Sequence, residues 1–168
     1  GAAFLANLMA DQGIDPLMQH LEILGAPQMY EEGARLQVRL KDFHMNGGGS
    51  AHGGLIMTLM DVVMACSTFA SGRDQHCVTV EMKSSFMRPG GQAGDVLNAQ
   101  GFLRSSSRSL AFCDAEVRNE AGELLATASG TFKYIKRPVS VLCRFCPGCV
   151  MSLSDAAQAR FWDQERLA

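Results

Sequence analysis

Five segments of the chain are predicted to be β-strands, most clearly where apolar residues recur at every second position. In 35–42 the alternating residues are Leu36, Val38 and Leu40. The other predicted strands are 77–87, 96–104, 109–118 and 124–136. In 77–87 we expect one face to carry Val78, Val80, Met82 and Phe86. Turn-like segments at 88–95, 105–109 and 119–122 separate the last four strands, which predicts an antiparallel meander.

Between the first strand and the other four lies a stretch that predicts one long helix. It begins HGGLIMTLMDVVMACS, from His52 to Ser67, and only two residues in its middle, Thr58 and Asp61, are polar. We expect it to run to about residue 70 and to end at Ser71 and Gly72. Because this helix is apolar on nearly all sides, the sheet must curl around it or a second subunit must cover it.

The predicted elements define an α+β fold, with an antiparallel sheet wrapped around one long central helix. Short N-terminal helices are predicted at 4–12 and 16–24, the second with Asp15 as N-cap and Pro16 as first residue. After Pro138 the composition changes, and SLSDAAQARFWDQERLA predicts a tail helix capped by Ser154. We therefore expect one domain over 1–138 and an appended C-terminal tail over 139–168.

Composition narrows the classes of function. The chain has 168 residues, a net charge of −2 and a pI near 6.1, with no basic block, so we expect no nucleic-acid partner. No apolar run approaches the ~20 residues of a membrane span, so we expect no membrane partner. The first residues, GAAFLANLMADQG, lack a basic leader, and a cytoplasmic protein without a signal peptide is the expectation.

The six cysteines divide into two groups. Cys66, Cys77 and Cys113 stand singly within apolar patterns and are expected to be core thiols. CRFCPGC holds the other three, Cys143, Cys146 and Cys149. Zinc requires four ligands, and nothing in the sequence brings a distant residue such as His76 to these three. Incidental packing, reactive surface thiols and a metal site stay open for this motif, with packing favoured, and we predict no metal or cofactor.

Asp61 is the residue that a simple core helix does not explain. Its helical neighbours include no cation; they are Gly54, Met57, Thr58, Met64, Ala65 and Thr68. Burying an unpaired carboxylate costs free energy, so Asp61 either faces a dimer partner at the surface or serves as a base or nucleophile. Gly53 and Gly54 offer backbone N–H groups at the positive end of the helix, which suits an oxyanion site or simply tight packing.

The segment HMNGGGSAHGGLIMTLMD resembles the PaaI-like branch of the hotdog-fold acyl-CoA thioesterases. That branch shows an Asn, then His-Gly-Gly, then an Asp on the central helix, and these match Asn46, His52-Gly53-Gly54 and Asp61. VTVEMKSSFMRPG, RSLAFCDAEV and GELLATASGTF also look like segments of that family. The resemblance covers about residues 35–136 and implies a five- or six-stranded sheet around one helix.

The resemblance also implies roles for individual residues. Asp61 would activate a water or attack the carbonyl itself, Asn46 and the Gly53 amide would polarise the carbonyl, and His52 would orient the leaving thiol. Thr79, from the neighbouring subunit, would position the water. The substrate-binding candidates are Gly54, Arg88, Pro89, Arg104 and Arg108. The three arginines among them are candidates for the phosphates of coenzyme A, because guanidinium binds phosphate in a bidentate manner.

These implied roles predict an acyl-CoA thioesterase that acts on a small aryl- or medium-chain acyl-CoA, as a homodimer or homotetramer. A non-catalytic acyl-CoA-binding protein and, less favoured, a dehydratase of hydroxyacyl thioesters are the alternatives. Each of these residues could also have a purely structural role. His52 could cap the helix, Asn46 could be a turn residue, and Thr79 could belong to a polar strand face. The methionines of the helix, Met57, Met60 and Met64, are expected in the core, with the lining of an acyl pocket as the less favoured alternative.

Overall fold

The computed structural model describes residues 16–23, 27–73 and 75–135. They form a short helix α1 (Pro16–His20), a long helix α2 (Gly53–Ser67) and six strands. The strands are β1 (Gln28–Tyr30), β2 (Gly33–Arg39), β3 (His76–Phe86), β4 (Val96–Ser106), β5 (Leu110–Arg118) and β6 (Leu124–Ile135). The predictions for 4–12, for Asp15, for the tail helix with Ser154 and for the CRFCPGC cysteines lie outside the described residues.

The six strands form one antiparallel sheet in the order β1-β2-β4-β5-β6-β3. The expected α+β architecture, an antiparallel sheet with one long helix on it, is confirmed. The expected meander is correct for β4, β5 and β6 but wrong for β3, which pairs with β6 at the far edge. Segment 87–95 does not form a hairpin turn, because the Gly90 N–H donates to the Ser50 hydroxyl (3.0 Å) before the chain enters β4 beside β2.

Helix α2 buries one side against the concave face of the sheet. Its fully buried side chains include Leu59, Met60, Val63 and Met64. The other side stays open, with Met57 exposed and Asp61 half-buried. Two of the three methionines are therefore core residues as expected, whereas Met57 is not.

The helix ends as the sequence predicts. After Ser67 it tightens into a 3₁₀ turn, Thr68–Ser71, and Gly72 follows with a left-handed backbone (φ 75°). By length and composition alone, Gly53–Ser71 is apolar enough to cross a membrane, so the expectation that no apolar run reaches this length is corrected. Half of this stretch is buried inside the fold, as in the core helix of a soluble domain.

A β-bulge in β3 decides which of its side chains face the helix. Thr79 pairs with buried Phe132 on β6, whereas the next paired residue, Glu81, lies opposite Thr131 on the other face. Val80 is the extra residue, so side chains on the helix side change from odd numbers before the bulge to even numbers after it. The predicted single apolar face of Val78, Val80, Met82 and Phe86 is therefore wrong.

Candidate functional site

Asp61 and Thr79 form a hydrogen-bonded pair on the open side of α2. The Thr79 hydroxyl donates to a carboxylate oxygen of Asp61 at 2.8 Å. Thr79 reaches the helix because the bulge that follows it turns its side chain toward α2. We expected Thr79 to come from the neighbouring subunit; it lies beside Asp61 of its own chain, and which copy supplies the rest of the site stays a prediction.

The start of α2 carries one free backbone donor. The His52 ring nitrogen Nδ1 accepts the Gly54 N–H at 2.9 Å, which makes His52 the N-cap of the helix. The expectation of two unpaired glycine amides is therefore corrected, because Gly54 already has a partner within the chain. Among the described residues no acceptor is found for the Gly53 N–H, which lies at the positive end of the helix dipole.

The glycine-rich loop before α2 orients the side chain of Asn46. Its carbonyl oxygen Oδ1 accepts the backbone N–H groups of Gly48 (2.8 Å) and Ser50 (3.3 Å). Fixing Oδ1 in this way leaves the Asn46 NH₂ group as the outward donor. The backbone bridge between Met45 and Ala51 keeps this loop beside the start of α2. Asn46 is thus both a turn residue and a presented donor.

Segment 88–91 is hydrogen-bonded to the glycine-rich loop that precedes α2. Besides the Gly90–Ser50 hydrogen bond, the Gly91 carbonyl accepts the Ala51 N–H at 2.9 Å. A Cβ at Gly90 would lie 2.6 Å from the Ile56 side chain, so only glycine fits there. Exposed Pro89 precedes this contact. Sequence reasoning missed Ser50 and Gly90, and the adjacent glycines of RPGG were the signal that a close backbone approach occurs here.

The three candidate arginines do not converge within one chain. Arg88 donates to the Leu124 carbonyl (2.7 Å) beyond the end of β3 nearest Gly53. Arg104 sits at a bulge in β4 and pairs with Asp114 at 2.7 Å on the outer face of the sheet. Arg108 lies in the exposed β4–β5 turn, near the opposite end of β3 from Arg88. One phosphate cannot contact all three in a single copy.

Two thiols lie near the Asp61–Thr79 pair. Burial raises the pKa of the Cys66 thiol to about 12, with smaller effects of Cys77 and Asp61. Burial also raises the pKa of Cys77, whose sulfur contacts the Thr68 hydroxyl at 3.6 Å. Both side chains are half-buried, whereas Cys113 alone of the three is fully buried as expected of a core thiol. Both are neutral thiols at physiological pH, and neither is suited to act as a nucleophile.

The donors and the carboxylate lie at different points along α2. Eight residues separate Gly53 from Asp61, which corresponds to about 12 Å along the helix axis. Two shallow concavities of about 360 and 600 Å³ occur on the outer face of the sheet, and neither contains Asp61, Thr79 or Gly53. These two concavities are lined by mixed charges and side-chain amides.

Within the described ranges, no group of three or more His, Cys, Asp or Glu side chains is placed to hold a metal ion. The arrangement instead offers a carboxylate that accepts a hydrogen bond from a threonine hydroxyl and, separately, the Gly53 N–H at a helix N-terminus. Those are the parts needed to attack a carbonyl and to stabilise the oxyanion that results.

Comparison with known proteins agrees with this chemistry. The thioesterase superfamily model matches residues 48–126. PA0474 of Pseudomonas aeruginosa, which is named as an esterase, is 34% identical over 130 residues, covering 72% of this chain and 94% of that protein. Human acyl-coenzyme A thioesterase 13 is 28% identical over 96 residues, covering 56% of this chain and 68% of that protein.

A solved structure gives the same result for the fold. The Escherichia coli PaaI protein from the phenylacetic acid degradation operon superposes with a TM-score of 0.69 and 26% identity. The superposition covers 80% of this chain and 96% of PaaI. The sheet order, the central helix and the sequence matches agree, and the chain belongs to the PaaI-like, hotdog-fold acyl-CoA thioesterases of the thioesterase superfamily.

Proposed function

We propose that the protein hydrolyses the thioester of a small aryl- or medium-chain acyl-CoA to the free acid and coenzyme A. Asp61 acts as the general base or the nucleophile, and the Gly53 N–H and the Asn46 side chain hold the carbonyl oxygen. The observation that carries this proposal is the half-buried Asp61 carboxylate, held by Thr79 at 2.8 Å on the open face of the helix. The names of the relatives support the substrate class.

The same geometry supports a site shared between two copies. An attacking oxygen must come within about 3–3.5 Å of the carbonyl carbon. A carbonyl bonded to the Gly53 N–H has its carbon only about 4 Å from that nitrogen, whereas Asp61 is about 12 Å further along the helix. We therefore propose that Asp61 and Thr79 of one copy act on a thioester held by Asn46, His52 and Gly53 of another.

Strand β3 supports such an assembly. It is an eleven-residue strand at the edge of the sheet, no further strand among the described residues pairs with that edge, and Val78 and Val80 are 43% and 56% exposed. Long apolar edge strands are usually covered in stable proteins. Pairing of β3 with a second β3 would cover this edge and would bring the open faces of the two α2 helices together, in a dimer or a larger homo-oligomer.

Replacing Asp61→Asn tests the proposed role. It keeps the shape of the side chain and removes the charge, so we expect kcat to fall by roughly 10²–10⁴-fold on an acyl-CoA panel. Asp114→Asn is the matched control, because Asp114 is also hydrogen-bonded and half-buried but lies on the outer face. Free thiol released per second is the readout, and circular dichroism checks folding. Full activity of folded Asp61→Asn would exclude this mechanism.

A non-catalytic acyl-CoA-binding protein is the alternative from another class. It would bind acyl-CoA tightly and leave the thioester intact over hours, a result that the same thiol assay detects. We also propose a cytoplasmic location, because coenzyme A thioesters are intracellular and Cys66, Cys77 and Cys113 are free thiols.

A further inference from the structure

Phe86 lies beside the free amide at the start of α2. A Cβ built on Gly53 would lie 3.7 Å from the tip of the Phe86 ring, which is ordinary van der Waals contact. Phe86 faces the helix because its register on β6 is with buried Ala126, after the β3 bulge. It is nevertheless 48% exposed, so about half of its surface is uncovered by the described part of the chain.

Met57 lies on the same face of α2 as Gly53. It follows Gly53 by one helical turn, and helical side chains lean toward the N-terminus of the helix. Met57 is 37% exposed, in contrast to the fully buried Met60 and Met64 on the sheet side. Among the described residues, one large apolar side chain thus contacts Gly53 and a second lies one helical turn away on the same face.

A carbonyl held by the Gly53 N–H brings its substituents close to the Phe86 ring. Its carbon lies about 4 Å from the Gly53 nitrogen, and a chain of two or three further atoms from that carbon reaches the ring. One substituent of a thioester carbon is the acyl group and the other is the pantetheine arm. The arm carries amides that require hydrogen-bond partners, which neither Phe86 nor Met57 supplies.

We propose that Phe86 and Met57 form the wall of the acyl site and determine which acyl groups the enzyme prefers. This inference rests on the proposed function. A flat ring next to a flexible thioether accommodates an aromatic or unbranched apolar acyl group, and a two-carbon acyl group is too short to use the contact. The wall thus favours aryl-acetyl and medium-chain acyl groups over acetyl.

The test compares Phe86→Ala and Met57→Ala with Phe112→Ala, a matched control that is 45% exposed on the outer face of the sheet. Binding of ketone analogues, in which a methylene separates the carbonyl from sulfur, is measured by calorimetry for acetyl, hexanoyl and phenylacetyl groups. Turnover of the corresponding thioesters is measured in parallel. We expect Phe86→Ala and Met57→Ala to weaken the hexanoyl and phenylacetyl analogues by roughly 10- to 100-fold relative to acetyl.

Phe112→Ala should leave the ratios unchanged. Unchanged affinity ratios in Phe86→Ala and Met57→Ala, as when all three analogues are weakened equally, would overturn the inference. Conversion of Phe86→Ala to a smaller oligomer would also overturn it, because the ring would then be covered by a partner copy. The wild type could instead discriminate between the analogues and hydrolyse no thioester. That result would overturn the proposed function but not the role of Phe86 and Met57 in acyl binding. The two failures are therefore distinguishable.

Discussion

Replacing Thr79→Val removes the hydroxyl that holds Asp61 and keeps the size and branching of the side chain. The lost contact is a charge-assisted hydrogen bond of 2.8 Å. Such bonds contribute about 1.5–3 kcal/mol, and the lower value applies here because Thr79 is exposed to solvent. If that energy orients Asp61 in the transition state, kcat falls about tenfold while KM changes little.

The assay is thiol release from the best acyl-CoA of the panel, with kcat and KM fitted separately. Thr79→Ser keeps the hydroxyl and should keep most of the rate. Thr131→Val is the matched control, because its hydroxyl donates to the Glu81 carboxylate at 3.0 Å on the opposite face of the sheet. If Thr79→Val and Thr131→Val had the same kcat as the wild type, Thr79 would not position Asp61.

Two further predictions concern the fold that carries the site. Gly101→Ala places a Cβ 2.5 Å from the Val63 carbonyl oxygen where α2 crosses the sheet. We therefore expect the free energy of unfolding, measured by calorimetry, to fall by about 1–3 kcal/mol. Gly47→Ala is the control and should change it little, because no atom lies within 4 Å of a Cβ at that position. Burial raises the pKa of the Cys66 and Cys113 thiols from 9.0 to about 12, so their contribution to stability is full below pH 9 and is lost as the pH rises to 12. The Tm of the wild type should therefore fall over that pH range, and the Tm of Cys113→Ala should fall less steeply. Equal slopes of Tm against pH in the wild type and in Cys113→Ala would contradict this.

The sequence predicted much of the fold because most of the elements bury one regular face. The local sequence pattern predicted helix α2, the strand in 35–42 and the end of the helix at Gly72. Strand β1 was missed, since three residues give no periodicity. The pairing of β3 with β6 was also missed, because it joins segments far apart in the chain and local turns carry no information about it.

The sequence predicted which residues belong to the candidate site better than it predicted how they are arranged in space. The lone carboxylate in an apolar helix picked out Asp61, the glycine pair at the helix start picked out Gly53, and the family resemblance picked out Asn46; the structure places Asp61 on the open side of α2, Gly53 at its start and Asn46 in the loop before it. The bulge after Thr79 could not be predicted, because no glycine or proline marks it. The same limit applies to Arg104, since a bulge in β4 and the ion pair with Asp114 place it on the outer face.

The His52 side chain shows how a local contact changes a predicted role. The sequence offered two glycine amides for the oxyanion, and the structure leaves one, because the imidazole caps Gly54 at 2.9 Å. A capping contact of this kind contributes about 1 kcal/mol to the helix and also fixes the tautomer, with Nδ1 as acceptor and Nε2 carrying the proton.

The central claim, a site that joins Asp61 of one copy to the Gly53 amide of another, is tested most directly by mixing two inactive variants. Gly53→Pro removes the N–H at the first helical position, where proline is tolerated and where His52 already has an extended backbone (ψ 133°). Asp61→Asn removes the carboxylate. Chains with different affinity tags are co-expressed, and dimers that carry both tags are isolated.

Each mixed dimer then contains one site with both groups intact and one with neither, so it should recover about half of the wild-type rate. If the two groups act within a single chain, both sites of the mixed dimer are damaged. Mixed dimers no more active than either parent would then contradict the shared site.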